Sequence, residues 1–511
     1  MLLVWPVVIP MLTAIAAQLA WRSPRVQQWI SLTGAVLLLA AGVVLTVAVL
    51  RDGPQAAQMG GWPAPFGITM VADILSAAMV LITGIITVAV VVYGFHDITE
   101  TAARNGQHAL THALLIGVCG AFLTGDIFNM YVWFEVMLIA SFGLLVVGGR
   151  RAQIDGALKY VGLNLVATLC FLTGVGLLYG ATGTLNMADL HLVLADRMGE
   201  TAVLGAAALL LFAFAAKAAL FPVFFWLPAA YPSLSVTSSA LFSGLLTKVG
   251  VYALIRVFTL VFDGSDPAIQ PVLIWGAAIT MVVGVLGAAA QMEVRRILSF
   301  HIISQIGYMI LGLAIHTALG LLGAIFYLFH HIVVKANLFL IAGVIGRQAG
   351  SEDLREIGGL WRRKPWLGVV FLIPALSLAG VPPLSGFWAK LLILQASLEE
   401  NRWVIAFIVL LVGILTLYSM TKIWLEAFWK SHPGDDPAPV RVGWTALVPI
   451  LSLAAMTLII GFHAEPFVTA AMAATEQILD PAAYLAAVEA LGLHAGADGA
   501  GTGLQVVGAA P

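Results

Sequence analysis

The chain has 511 residues, 61% hydrophobic and only 10% charged, with a formal net charge of −2 and a mean hydropathy of +1.00. A soluble domain is about one-quarter charged, so this chain cannot clothe a globular surface, and its near-neutral balance gives no sign of nucleic-acid binding. The composition reads as an all-α polytopic membrane protein, and 51 glycines and 22 prolines suit packed, interrupted membrane helices better than a coiled coil.

The opening stretch MLLVWPVVIPMLTAIAAQLAW lacks a basic leader region and a clear cleavage site, and is read as the first span. Apolar runs then predict about fourteen helices: 2–20, 31–50, 70–94, 108–124, 127–148, 157–180, 203–230, 234–261, 270–290, 296–315, 318–346, 366–398, 403–429 and 442–462. Both cysteines, Cys119 and Cys170, lie inside apolar runs and read as small buried residues. No CxxC motif, Cys/His cluster or GxGxxG after a strand appears, so the expectation is no metal, no iron–sulfur cluster and no NADH or flavin.

Loop charges alternate. Arg22, Arg25, Arg104, Arg150, Arg151, Arg295, Arg296, Arg347, Arg355, Arg362, Arg363, Lys364, Lys430 and Arg441 fall on one side, and little beyond Arg51, Arg197 and Arg402 on the other. The positive-inside rule makes the first side cytoplasmic and both termini extracytoplasmic. Residues 464–494 read as short amphipathic helices at the outer surface, and the Gly/Ala-rich stretch that follows as flexible.

Ionisable residues within spans are costly to desolvate and mark candidate functional sites. In chain order they are Glu135 in the fifth span, Lys217 in the seventh, Lys248 in the eighth and His301 in the tenth. His330, His331 and Lys335 follow in the eleventh, Lys390 in the twelfth, and Lys422 with Glu426 near the end of the thirteenth. Lys422 and Glu426 read as an interfacial i,i+4 pair and Asp126 as a helix cap. His331 and Lys335 share a helix face; one of the adjacent histidines reads as a packing residue.

Prolines coincide with two of the lysines. Pro222 is expected to free the carbonyl of Ala218 beside Lys217, and Pro382 and Pro383 those of Leu378 and Ala379, about two turns before Lys390. Broken backbone at membrane depth is tolerated where it is buried or lines a watery cavity. Two such breaks five spans apart predict inverted five-helix repeats, spans four to eight and nine to thirteen. The expected division is a three-helix segment 1–107, a first repeat 108–261, a second 262–430, and a last helix with an extracytoplasmic tail 431–511.

Several stretches resemble the antiporter-like subunits shared by respiratory complex I, membrane hydrogenases and the multisubunit Mrp cation/proton antiporters. GDIFNMYVWFEVMLIAS resembles that family's fifth-helix glutamate motif, and AAKAALFPVFFWLPAAYPSLSVTSSALFSGLLTKVGVYALIR its seventh- and eighth-helix signature. RRILSFHIISQIGYM and AGVPPLSGFWAK resemble the tenth- and twelfth-helix signatures. Within the family the opening segments and ALKYVGLNLVATLCFLTGVGLLYGATGTLNMADL look most like D-type subunits of the Mrp branch, and Lys390 stands where M-type complex I subunits typically carry glutamate. The tail is longer and richer in glycine and alanine than that family suggests.

The resemblance implies a secondary transporter subunit and no enzyme: Na⁺ (or K⁺ or Li⁺) exchanged for protons, in the lipid bilayer of a prokaryotic plasma membrane, together with Mrp subunits A, B, C, E, F and G. It implies that Glu135 pairs with Lys217, and that Lys217, Lys248, the His330/His331 region and Lys390 form a hydrated relay to which His301 or Lys335 contributes. The chemistry suits lysine. Burial disfavours its charged form and a nearby carboxylate favours it, whereas arginine stays charged; Lys248 as a neighbouring cation would favour release from Lys217. Two other readings stay open: a redox-coupled proton pump subunit of a complex I or hydrogenase, and a passive scaffold. No Na⁺ site is legible.

Overall fold

A computed structural model of the chain describes residues 2–434 and 441–492. Among these, the membrane-crossing helices are α1 (Leu2–Leu19), α2 (Pro24–Asp52), α3 (Ile74–Asp97), α4 (Gln107–Leu123), α5 (Ile127–Val146), α6 (Arg151–Thr182) and α7 (Thr201–Ala218, resuming at Trp226–Ala230). They continue with α8 (Val236–Leu260), α9 (Gln270–Ala290), α10 (Val294–Ile315), α11 (Ala318–Ala349), α12 (Pro365–Ala379, resuming at Ser385–Glu399), α13 (Trp403–Trp429) and α14 (Trp444–Phe462). Twelve are long and apolar enough to cross a membrane, while α4 and the first half of α12 are shorter apolar helices. The expected all-α polytopic architecture is what the chain adopts.

Hydropathy misreads one segment. Residues 70–72 read as the start of the third span, but Gln55–Gln58 (β1) and Thr69–Ala72 (β2) form an antiparallel hairpin, Gln55 opposite Ala72 and Gln58 opposite Thr69. Helix α3 starts only after Asp73, whose carboxylate accepts the Ser76 N–H at 2.9 Å and so satisfies a free donor of the first turn. Asp126 caps α5 in the same way through Asn129 N–H at 2.7 Å, the role its position suggests.

Burial sorts the bundle into a centre and a rim. The most apolar window is 100% buried in α8 and α11 and 94% in α10, but only 33% in α2 and α6. These three helices carry Lys248, His301, His330, His331 and Lys335, half of the ionisable span residues named above, which keeps those charges from lipid. Two helices contain π-helical turns: Phe242–Leu246 in α8 and Leu425–Trp429 at the end of α13.

The ends differ chemically. At one, arginines tie loops to helix ends: Arg347 to Asp97 at 3.1 Å, Arg150 to Ser233 O at 2.8 Å, and Arg295 to Glu352 at 2.6 Å and Leu234 O at 2.8 Å. At the other lie the hairpin and two further helices, α15 (Glu465–Leu479) and α16 (Ala482–Glu489). The tail expected as short surface helices thus packs on the bundle. The Gly/Ala-rich stretch expected to be flexible lies outside the described residues.

A candidate proton-transfer site along the buried helices

On α5, Glu135 is half-buried and its Oε1 accepts from Thr168 Oγ1 of α6 at 2.7 Å. On α7, Lys217 is buried and its Nζ donates to Asn164 Oδ1 at 2.9 Å. Glu135 and Lys217 therefore make no direct ion pair, contrary to the expected contact. Asn164 and Thr168 stand one turn apart on α6, so a single helix face holds the ammonium on one residue and the carboxylate on the next. Asn164 Nδ2 donates to Tyr160 O at 2.7 Å, which turns Oδ1 toward the lysine. The Lys217 Nζ also lies 5.7 Å from the Phe134 ring centroid and 6.0 Å from that of Tyr160, in range for cation–π attraction.

The break after Lys217 is complete. Helix α7 stops at Ala218, and Ala219 takes a left-handed φ of 63°. Lys217 is held by Asn164 and not by the neighbouring carbonyl of Ala218. Behind this turn α8 comes very close: a Cβ on Gly250 would lie 2.6 Å from Ala218 N. The second break repeats the first in backbone detail. Leu220 N–H donates to Ala215 O at 2.9 Å, and Val381 N–H to Leu376 O at 3.0 Å. Gly380 takes the left-handed position, with φ 90°. Here the lysine does take a carbonyl at the break, Lys390 Nζ donating to Ala379 O at 2.9 Å. The lysines themselves do not correspond: Lys217 precedes its break and Lys390 follows its own.

The remaining predicted residues lie on α8, α10, α11 and α12. Lys248 donates to Ser243 O in the π-helical turn of its own helix, and Lys335 to Leu298 O at 3.1 Å. His331 lies within electrostatic reach of Lys248, Lys335, His330 and His301. His330 Nδ1 meets Ser385 Oγ at 2.7 Å, and Ser385 meets Ser377 at 2.8 Å, across the second break. Lys390 lies 5.0 Å from the Tyr308 ring centroid. Both ring nitrogens of His301 and of His331, and His330 Nε2, are buried without a protein partner. The ammonium of Lys217 points to α6 and that of Lys248 has His331 and Lys335 as neighbours, so the direct contacts fall into two groups, which the expected relay would join through water.

Lys422 and Glu426 do not pair. Lys422 Nζ donates to Ala289 O at 2.8 Å and Gln291 O at 2.7 Å at the C-terminal end of α9, a favourable place for a cation. Glu426 pairs with Lys430 at 2.7 Å. Cys119 and Cys170 are both free, the first buried and the second half-buried. Among the described residues no group of three or more His, Cys, Asp or Glu side chains is placed to hold a metal ion.

Residues 124–416, more than half of the chain, match the family described as NADH:quinone oxidoreductase/Mrp antiporter, transmembrane region. The chain belongs to that family. It is 44% identical over 490 residues to the D-type subunit of the Na⁺/H⁺ antiporter of Alkalihalophilus pseudofirmus, covering 95% of this chain and 99% of that protein. With the protein of the same description in Bacillus subtilis it shares 39% over 488 residues, covering 94% and 98%. Among solved structures, a chain of the Mrp complex from Dietzia sp. superposes with a TM-score of 0.90 at 34% identity, covering 95% of this chain and 99% of that one. A chain of respiratory complex I from Thermus thermophilus superposes with a TM-score of 0.74 at 25% identity, covering 92% and 99%.

Asn164, Thr168, Ser377 and Ser385 do not stand out in the sequence as site residues. A signal exists for the first two: an i,i+4 pair of polar residues inside an otherwise apolar run, one helix away from a buried lysine.

Proposed function

We propose that this chain is the proton-translocating subunit of a Mrp-type Na⁺/H⁺ antiporter, a secondary transporter component and not an enzyme. It acts in a bacterial plasma membrane beside Mrp subunits A, B, C, E, F and G, with the arginine-rich end cytoplasmic and spans four to eight and nine to thirteen acting as inverted halves. The curated relatives carry the antiporter name over nearly their whole length, and the fold likeness to the Mrp complex supports the same reading.

The single observation that carries the mechanism is the α6 face that holds Lys217 on Asn164 and Glu135 on Thr168. The carboxylate favours a charged lysine and burial disfavours it. Movement of either partner along that face therefore loads or unloads a proton. Lys248, His331, Lys335, His301, His330 and Lys390 carry it onward through water, since buried ring nitrogens without protein partners are satisfied by ordered water. The match of the two breaks, with a lysine against each, supports the inverted-repeat division.

The test uses everted membrane vesicles of a host stripped of its own Na⁺/H⁺ antiporters and carrying the whole complex, with a ΔpH-sensitive dye. Na⁺ addition collapses the gradient in wild type. Glu135→Gln, Lys217→Arg and Asn164→Leu are each expected to lower exchange by at least about tenfold, a typical weight for a proton-transfer group, with the complex still assembled. Full exchange in assembled Lys217→Arg would overturn the relay. The complex I likeness favours a second reading, a redox-driven pump subunit; proton movement that needs NADH and ignores Na⁺ would select it.

A further inference from the structure

Of the span lysines singled out above, Lys422 is the one that the relay does not use. It sits on α13 at the arginine-rich end, half-buried, with its ammonium on the last carbonyls of α9. The helix loses its regular ladder directly beyond it, in the π-helical turn Leu425–Trp429.

Lys422 does not stand alone on its helix face. Ser419, one turn inward, is fully buried and its Oγ has no partner. Thr416, one turn further, accepts from Gln305 Nε2 of α10 at 3.4 Å, and Gln305 accepts in turn from Tyr327 OH of α11. Tyr327 packs at 5.6 Å from the His330 ring and 6.1 Å from that of His331. Helices α10 and α13 run antiparallel, so Gln305 opposite Thr416 places His301, one turn back on α10, at the level of Ser419. His301 is buried, has both nitrogens unpartnered, and is within electrostatic reach of Lys335, Lys390 and Lys422. A polar stripe thus runs from the arginine-rich end to the centre through Lys422, Ser419 and His301. Such a row is costly in a helix–helix contact unless water or a moving proton uses it.

We propose that Lys422, Ser419 and His301 form a hydrated proton conduit joining the arginine-rich face to the His331/Lys335 cluster, with Lys422 as its outermost proton-carrying group. This rests on the antiporter reading above for its role in exchange, but the conduit itself is testable without it.

Two measurements on the assembled complex decide it. Lys422→Arg keeps the charge and the donors to α9 but does not release a proton; it is expected to assemble with unchanged thermal stability and to lower Na⁺-driven proton exchange by at least about tenfold. Ser419→Cys in a background with Cys119 and Cys170 replaced by alanine is expected to react with Ag⁺ applied from the arginine-rich side. Ile414→Cys on the exposed rim of the same helix is expected to stay unreactive. Wild-type exchange in Lys422→Arg, or a Ser419→Cys thiol that Ag⁺ does not reach, would overturn the conduit. Absence of Na⁺-driven exchange in wild type would fell the antiporter reading alone, because the Ag⁺ result at position 419 still reports water there.

Discussion

Asp126 has one carboxylate oxygen on the Asn129 N–H and almost no contact with solvent. Burial raises its carboxyl to about 6, against the opposing pull of backbone donors. A carboxyl raised in the folded state binds its proton more tightly there than in the unfolded chain. Stability is therefore lost as pH rises from the ordinary aspartate range through about 6, and the penalty is complete above that. Asparagine at this position would keep the cap without the charge. Asp126→Asn is thus expected to melt higher than wild type at pH 8, by on the order of 2–3 kcal/mol, and to match it near pH 4. Equal differences at both pH values would refute the titration. The residue scale is also where the sequence was most legible for the site and least legible for its partners. A lysine or glutamate in an apolar run announces itself by its desolvation cost. A neutral Asn164 or Thr168 costs far less alone, so its importance appears only when a second helix brings a charge to it.

The two helix breaks show how one backbone device serves two different lysines. Both turns place a residue in the left-handed region, Ala219 at φ 63° and Gly380 at φ 90°. Alanine at 219 shows that the conformation alone does not demand glycine. At 380 the demand is steric as well: a Cβ there would sit 2.8 Å from Lys390 Cδ. Gly380→Ala is expected to lose about 1–2 kcal/mol of stability from the left-handed backbone. It should also reduce exchange more than that loss explains, because the methyl pushes Lys390 from Ala379 O. Thermal unfolding and the vesicle assay on one preparation check this; unchanged exchange would mean that Lys390 tolerates the shift. Proline made both breaks visible in the sequence. On which side of its break each lysine would lie, and whether its ammonium would take a carbonyl or a side chain, stayed hidden there, since both depend on the neighbouring helix.

At the scale of the molecule, the spans were legible because the membrane demands long apolar runs with internally bonded backbone. Their arrangement was not. The most apolar stretches of α8 and α11 are wholly buried because they are enclosed by other helices, a property of packing that hydropathy does not record. The hairpin is hard to see because four-residue strands next to an apolar helix read as more helix. The same end of the molecule holds the most buried ion pair among the described residues, Arg256 to Asp73 at 2.5 Å, both nearly inaccessible. Tyr252 OH meets Ser76 Oγ at 2.8 Å beside it. Asp73→Asn would leave a guanidinium uncompensated, and is expected to cost about 3–5 kcal/mol, read as a lower melting temperature and a lower yield of complex. Adding Arg256→Met to that variant is expected to recover most of the loss, and a double variant as unstable as the single would show that hydrogen bonding, not charge, dominates there.

Arg256 lies between two rings, each with its centroid 5.5 Å away: Tyr252 from its own helix and Tyr484 from α16. The second ring comes from near the end of the chain, while Asp73 comes from near its beginning. The ribosome therefore releases the aromatic cover of this charge only after helices α1–α14 have been made. A nascent chain carries the guanidinium without this second ring until α16 docks, so the closing of this small cage reports that synthesis has passed α16.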